Sequence, residues 1–258
     1  MCITKINSIT LYQSELLNEF KELTHGFTAR HGGVSKGEYE SLSLSHMRGD
    51  DLACVQENRK ILCRELSFNY NMLTSTRQEH TDNIKIIDKS LVGYGIHTDW
   101  GEGVDGVITR EKNVPLICYS ADCVPILFYA SDIKAIGAVH SGWRGTKEKI
   151  AEKAVRMLKE LGAKEENIFA AIGPCIGKCC YEVSEDVALN FDEKSYTKKE
   201  NGKYMLDLEA VNTDILRNAG VKNISVSRIC TKCNNDMFFS HRGQRGRSGT
   251  LGGIICMR

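Results

Sequence analysis

Long apolar runs, prolines and an excess of either charge are all missing from this 258-residue chain, which has 3 Pro and balances 34 Lys and Arg against 33 Asp and Glu. No stretch approaches the roughly 20 apolar residues that span a bilayer. Met1–Thr10 carries Lys5 and Asn7 where a secretory leader has its apolar core, so the expected address is the cytoplasm. A net charge of +1 supplies no basic footprint. Nucleic acid and anionic membrane surfaces drop out as expected partners, no protein partner is evident, and a small molecule becomes the default ligand. With no Pro-rich or Ser-rich linker, repeat or low-complexity tract, residues 1–258 read as a single compact domain.

Cysteine is the residue in surplus. An odd count, 11, without a leader argues against a disulfide framework and for a reducing compartment, where most thiols act as small buried hydrophobes. The spacing predicts a helix from Thr146 to Leu161, capped by Thr146, with Ile150, Ala154, Met157, Leu158 and Leu161 on one face. A second starts at Asp207, and a third runs from Asp51 to Leu66 with Leu52, Val55, Leu62 and Leu66 inward. Short, branched, apolar segments predict strands at Ile84–Ile87, Val114–Tyr119, Val124–Tyr129, Ala135–Val139, Ile168–Ile172 and Ile224–Ile229. Too few residues separate Val114–Tyr119 from Val124–Tyr129 for a helical crossover, so the two are antiparallel or lie in different sheets. The expected class is α+β, with mixed sheets and flanking helices.

Polar residues suited to chemistry collect where these strands end, as sites usually do. Cys123 stands between two predicted strands, His140 ends the next, and His80 precedes Ile84–Ile87. One thiolate and two imidazoles suit Zn²⁺ with a fourth position open, the pattern of a catalytic site. Their separations, 43 and 17 residues, are unlike those of local zinc loops, and a core histidine and an inert thiol are the competing reading. Arg48, Arg59, Arg144 and Arg242 are candidates for binding an anion, or else are surface cations and ion-pair partners. His31 with Gly32 and Gly33 reads equally as a ligand contact or an exposed turn, and Trp143 as a base-stacking surface or core. Cys175, Cys179 and Cys180 read as packing around a Gly-Pro turn. Cys230 and Cys233 have the spacing of a half-site with no second half-site of that spacing after it, which favours structural use.

These segments, in order along nearly the whole chain, carry a resemblance. They are Phe27-Thr28-Ala29-Arg30-His31-Gly32-Gly33-Val34-Ser35, Ser41-Leu42-Ser43-Leu44, Arg48-Gly49-Asp50-Asp51, Glu57-Asn58-Arg59, the His80 segment, Val104-Asp105-Gly106 and Ala121-Asp122-Cys123. His140-Ser141-Gly142-Trp143-Arg144-Gly145, Gly173-Pro174-Cys175-Ile176, Cys179-Cys180-Tyr181-Glu182-Val183 and Phe238-Phe239-Ser240-His241-Arg242 follow. The series resembles the bacterial YfiH and YlmD type proteins and the animal laccase domain-containing protein 1. The resemblance implies a layered sandwich related to a toxin deamidase, and a zinc site at His80, Cys123 and His140. It also implies purine nucleoside phosphorylase activity on adenosine, inosine and S-methyl-5'-thioadenosine with inorganic phosphate, accompanied by adenosine deaminase activity. Ser43 replaces an Asn found in many members, and Gly243-Gln244 replaces a basic pair.

Three rivals follow from the same residues. A copper-dependent polyphenol oxidase is opposed by the histidine inventory, since 7 His must serve every copper, although Cu²⁺ binds such donors tightly. A metal-free cysteine hydrolase would use Cys123 as nucleophile, His140 as base and Asp122 or Asp105 to orient it. A non-catalytic nucleoside or metal-binding module is the third. A nucleobase deaminase of the usual kind is excluded, because no histidine begins a His-x-Glu motif.

Overall fold

The computed structural model describes all 258 residues and forms two six-stranded sheets and a three-stranded one. The first sheet has the order β1 (Cys2–Ile6), β2 (Ile9–Gln13), β3 (Leu23–Thr28), β15 (Leu251–Met257), β7 (Leu116–Ser120), β4 (Thr74–Ser75). The second has the order β14 (Asn223–Val226), β10 (Ile168–Ile172), β8 (Val124–Ala130), β9 (Ala135–Ser141), β6 (Gly106–Thr109), β5 (Ile84–Ile87). β11 (Glu182–Val183), β13 (Tyr204–Leu206) and β12 (Tyr196–Lys198) make the third. Parallel pairs (β4 with β7, β5 with β6, β10 with β14) occur beside antiparallel ones. The class is α+β.

Period-two alternation explains the layering. In β7, Leu116 and Cys118 face a core shared with Leu127 and Tyr129 of β8, while Ile117 and Tyr119 face the opposite way, into a core shared with Ile61, Leu62 and Leu66. The latter three belong to or abut helix α2 (Leu52–Glu65). The other face of the second sheet, with Ile126 and Phe128, packs on Ile150, Ala154 and Leu158 of α4 (Ile150–Glu160) and Ile215 and Leu216 of α6 (Leu208–Asn218). The layers are helix, sheet, sheet, helix, and the middle strands β7, β8, β9 and β15 are buried along their whole lengths because both faces are covered.

Several expected boundaries move. The helix expected from Thr146 is two helices. α3 (Trp143–Lys147) ends before Lys149, which takes a left-handed φ of 56°, and α4 begins at Ile150 where the apolar period begins. Thr146 does not cap: its hydroxyl bonds Ser141 and Asn212 in the interior. Leu52 is 50% exposed because it is the first residue of α2 after the capping Asp51. Asp207, the expected start, caps α6, which begins at Leu208. β14 stops at Val226, ahead of a left-handed Arg228. The remaining helices, α1 (Glu15–Asn18) and α5 (Glu185–Ala188), are single turns. No helix is long and apolar enough to cross a membrane.

Candidate metal centre

β7 and β8 lie in different sheets, and only Ala121, Asp122 and Cys123 connect them. So short a step between layers requires an unusual backbone, supplied by Asp122 at a φ of 87°. Its carboxylate secures the turn by accepting from the Thr231 hydroxyl at 2.7 Å and the Arg242 N–H at 2.7 Å. Cys123 is thereby held at the seam between the sheets. His140 comes from the end of β9, opposite Pro125 of β8, and His80 from the loop before β5, with a left-handed φ of 61°.

One buried carboxylate organises both histidines. Asp105 accepts from the N–H of Glu79, His80 and Thr81 and from the Thr81 hydroxyl, which fixes the His80 loop. Its Oδ1 lies 2.7 Å from His140 Nδ1, and its backbone carbonyl accepts from the His140 N–H at 2.8 Å. With Nδ1 engaged, His140 offers Nε2, the carboxylate–imidazole arrangement that orients metal-binding histidines. Cys123 Sγ lies 3.7 Å from His80 Nε2, the two imidazoles meet edge to face at 4.9 Å, and the three donor groups lie within 4.8 Å of one another. A Cβ on Gly142 would come within 2.7 Å of His80 Cδ2 and 3.2 Å of Cys123 Sγ. Only glycine leaves room for the two side chains to converge there.

The charges match the geometry. Desolvation opposes ionisation of Cys123, but the His140 charge and hydrogen bonds from His140 and His80 bring its pKa down to about 6. Desolvation likewise opposes protonation of His140, yet the Cys123 charge and the bond to Asp105 lift it to about 9. Both shifts favour a thiolate–imidazolium pair, and an ion bound at His140 Nε2 would take the place of its proton. A thiolate and two oriented imidazoles form a donor set that fits one Zn²⁺ or Cu²⁺ ion with a position left open.

His80 and His140 line a cavity of about 530 Å³ together with Ser45, His46, Arg48, Arg59 and Tyr119. Arg59 is 3% exposed. Its Nε donates to the Leu44 carbonyl at 2.9 Å, and its guanidinium lies 5.4 Å from the Tyr119 ring centroid. Arg48 Nη1 contacts His241 Nδ1 at 2.8 Å. Desolvation, then the neighbouring guanidinium, holds down the pKa of His46 beside Arg59 and of His241 beside Arg48, so protons do not add to the arginine charge. Tyr119 and Thr250 line the cavity, and their hydroxyl oxygens are buried without a hydrogen-bond partner. Unlike Arg48 and Arg59, the other two candidate arginines lie outside this cavity. Arg144 stacks on Trp143 at 4.4 Å. Arg242 stacks on Tyr181, donates to the Glu182 carbonyl at 2.7 Å, and lines a smaller hollow with Trp143 and Tyr181.

His31 is exposed, and its glycines serve close packing: a Cβ on Gly33 would meet Asn58 Oδ1 at 2.4 Å. Asn58 itself donates to Ser35 and to the Ser41 and Ser43 carbonyls, which places that segment against α2. Ser43 is buried with an unpartnered hydroxyl. Gln244 closes its own turn on Ser240 and reaches the Glu38 carbonyl. Of the two suggested orienting groups, Asp105 meets His140, while Asp122 holds the Cys123 turn. Sequence reasoning passed over His46, Gln78, Tyr119 and Thr250, which come from separate elements and share no spacing. Cys179 and Cys180, expected to pack around the Gly-Pro turn, instead converge with Cys230 and Cys233, which supply the second half-site that their own spacing lacks.

The fold and the site define a class, α+β sandwiches with a His–Cys–His donor set where strand ends meet a polar cavity. A family model described as "Multi-copper polyphenol oxidoreductase laccase" matches residues 24–258. Purine nucleoside phosphorylase YlmD of Geobacillus stearothermophilus is 37% identical over 246 residues, 90% of this chain and 89% of that protein. Adenosine deaminase RL5, from an unknown prokaryotic organism, is 32% identical over 246 residues, 90% of this chain and 94% of that protein. The crystal structure of YlmD from Geobacillus stearothermophilus has a TM-score of 0.91 at 34% identity and covers 99% of this chain and 98% of that one. The chain belongs to this laccase-like family, to which the YlmD and YfiH type proteins that its motifs resemble also belong.

Proposed function

We propose that the protein is a zinc-dependent purine nucleoside phosphorylase acting on adenosine, inosine and S-methyl-5'-thioadenosine, with an adenosine deaminase side activity. The observation that carries this reading is the meeting, in one cavity, of two arginines without carboxylate partners and two histidines of the donor set. The names borne by relatives favour the same chemistry. A cavity of about 530 Å³ falls in the range of small-molecule sites.

His80, Cys123 and His140 would hold the ion, which when bound supplies Lewis-acid polarisation to substrate atoms. Arg59, with Nε already used, presents its Nη donors to phosphate, and Arg48 adds a second charge-assisted contact. Phosphate replaces the base at the anomeric carbon: a C–O bond forms as the C–N bond breaks, and the electron pair leaves with the purine. Asp105 holds His140 in one tautomer throughout.

The copper oxidase reading is weakened by donor placement, because only His80 and His140 stand at Cys123 while His25 and His97 bond backbone elsewhere. The cysteine hydrolase reading shares Cys123, His140 and Asp105, and differs in needing no metal. Incubating metal-quantified protein with inosine separates the readings: hypoxanthine release is expected to require inorganic phosphate and to disappear with chelation. Release that persists in excess chelator, or proceeds equally without phosphate, refutes the proposal.

A further inference from the structure

The chain carries a second group of soft donors that the proposed reaction does not use. Cys179, Cys180, Cys230 and Cys233 bring four sulfurs within 4.8 Å of one another, and Cys233 Sγ lies 3.6 Å from that of Cys179 and 3.5 Å from that of Cys180. Disulfide sulfurs sit about 2.05 Å apart, so these thiols are free. Four thiolates around one tetrahedral ion at about 2.3 Å would stand about 3.8 Å from each other, close to the observed spacing.

The backbone shows how the cluster arises. Adjacent cysteines normally diverge. Here the N–H groups of Cys180 and Tyr181 both return to the Gly177 carbonyl, at 2.9 and 3.0 Å, and this tight turn brings both sulfurs to Cys233. On the facing segment, Asn234 N–H and Nδ2 both donate to the Cys230 carbonyl, at 3.1 and 2.8 Å, closing a turn that aims Cys230 and Cys233 the same way. The two segments are joined by the bridge between Cys175 and Cys230, with Cys175 N–H to Ile229 carbonyl at 3.2 Å and Thr231 N–H to Cys175 carbonyl at 2.9 Å. Gly177 lies in the seam, where a Cβ would meet Cys179 Sγ and Cys230 Cβ at 3.2 Å each. Two turns with no apolar core of their own are thus folded onto each other around four sulfurs. Cys179 and Cys233 are exposed and the other two half-buried, which leaves the donors open to an ion from solvent.

We infer that Cys179, Cys180, Cys230 and Cys233 form a second metal site, a closed four-thiolate centre for one Zn²⁺ ion that clasps the turn after Gly177 to the turn after Cys230. All-sulfur donors select soft or borderline ions, and four protein ligands leave no open position, so the role is structural. The clasp bears on the first centre through one residue. Thr231, between Cys230 and Lys232, donates its hydroxyl to Asp122, the residue that holds the Cys123 turn.

The test is the zinc content of protein purified under reducing conditions. The wild type is expected to carry two zinc ions per chain, Cys123→Ala one, Cys230→Ser/Cys233→Ser one, and the triple variant none. A wild type whose zinc content is unchanged by Cys230→Ser/Cys233→Ser overturns the inference. Because that double variant disturbs a turn and can unfold, a second measurement keeps all four thiols: Co²⁺ added to metal-free Cys123→Ala protein is expected to give the intense thiolate-to-metal bands of a tetrahedral sulfur site, at one equivalent. No such bands, or a disulfide between Cys233 and either Cys179 or Cys180 found by mass spectrometry in protein kept anaerobic, contradicts a metal clasp and points to a redox pair.

Discussion

Two sulfur-bearing clusters in one chain are built in opposite ways. His80, Cys123 and His140 are distant in sequence and stand at strand ends, and sheet pairing and the buried Asp105 determine where they meet. Cys179, Cys180, Cys230 and Cys233 come from two turns whose own hydrogen bonds aim them, with no carboxylate or histidine among them. The first has three donors beside a cavity, the second four donors at the surface. A rigid scaffold that leaves a coordination position free serves chemistry, whereas a closed set on weakly supported turns serves to hold those turns.

The contrast can be broken most sharply at Cys123. Cys123→Ala is expected to lower turnover by about 10³-fold or more, with the loss of the thiolate and of the proposed ion, because a metal's contribution to charge stabilisation is several kcal/mol. Its thermal midpoint should stay near that of the wild type. Cys230→Ser/Cys233→Ser should show the reverse, a lowered midpoint with turnover reduced far less. Steady-state kinetics and thermal melts on the same preparations check both, and matching losses in the two variants would erase the distinction.

A smaller effect is expected at Asp105, whose amide replacement keeps shape but removes the charge held against His140. Asp105→Asn should weaken metal affinity at the first centre about 10–100-fold and leave zinc held by the four cysteines untouched, as read by competition with a chelator. Next, Arg59→Met should raise the KM for phosphate by about 10–100-fold, the loss of a charge-assisted contact of about 1.5–3 kcal/mol, with the KM for inosine changed less.

The smallest effect separates acid unfolding from acid metal loss. His25, outside both clusters, is 1% exposed and accepts from the Ser14 N–H at 3.0 Å, and burial pushes its pKa down to about 4. Its neutral form is native, so its contribution is fully present above about pH 6.5 and is lost as pH falls towards 4, up to about 3 kcal/mol. His25→Gln should flatten that part of the stability profile of chelated protein. An unchanged slope in urea melts between pH 6.5 and 4 would place the acid sensitivity elsewhere.

How legible these features are in the sequence follows from the same contrast. The strands around the first centre announce themselves as branched apolar runs, and their polar ends give away His80, Cys123 and His140. The carboxylate that joins them is visible only as one of two aspartates, because the choice of Asp105 over Asp122 depends on which strand pairs with β9. The cavity wall is hidden, since Tyr119 and Thr250 meet only when the distant strands β7 and β15 pair. The split between α3 and α4 is hidden too: helical periodicity in Ile150, Ala154 and Leu158 gives no sign of a left-handed Lys149. The four-cysteine cluster is missed for a local reason. Adjacent Cys179 and Cys180 look unfit for one centre until the turn on Gly177 swings both sulfurs to the same side.

Phosphorolysis is the reaction proposed for the first centre and its arginine-lined cavity. The most direct measurement is formation of ribose 1-phosphate from inosine and inorganic phosphate by protein titrated with zinc, alongside Cys123→Ala. Ribose 1-phosphate and hypoxanthine are expected in equal amounts, rising with zinc until the first centre is filled and absent in the variant. No ribose 1-phosphate above the Cys123→Ala control at full zinc occupancy contradicts the proposal.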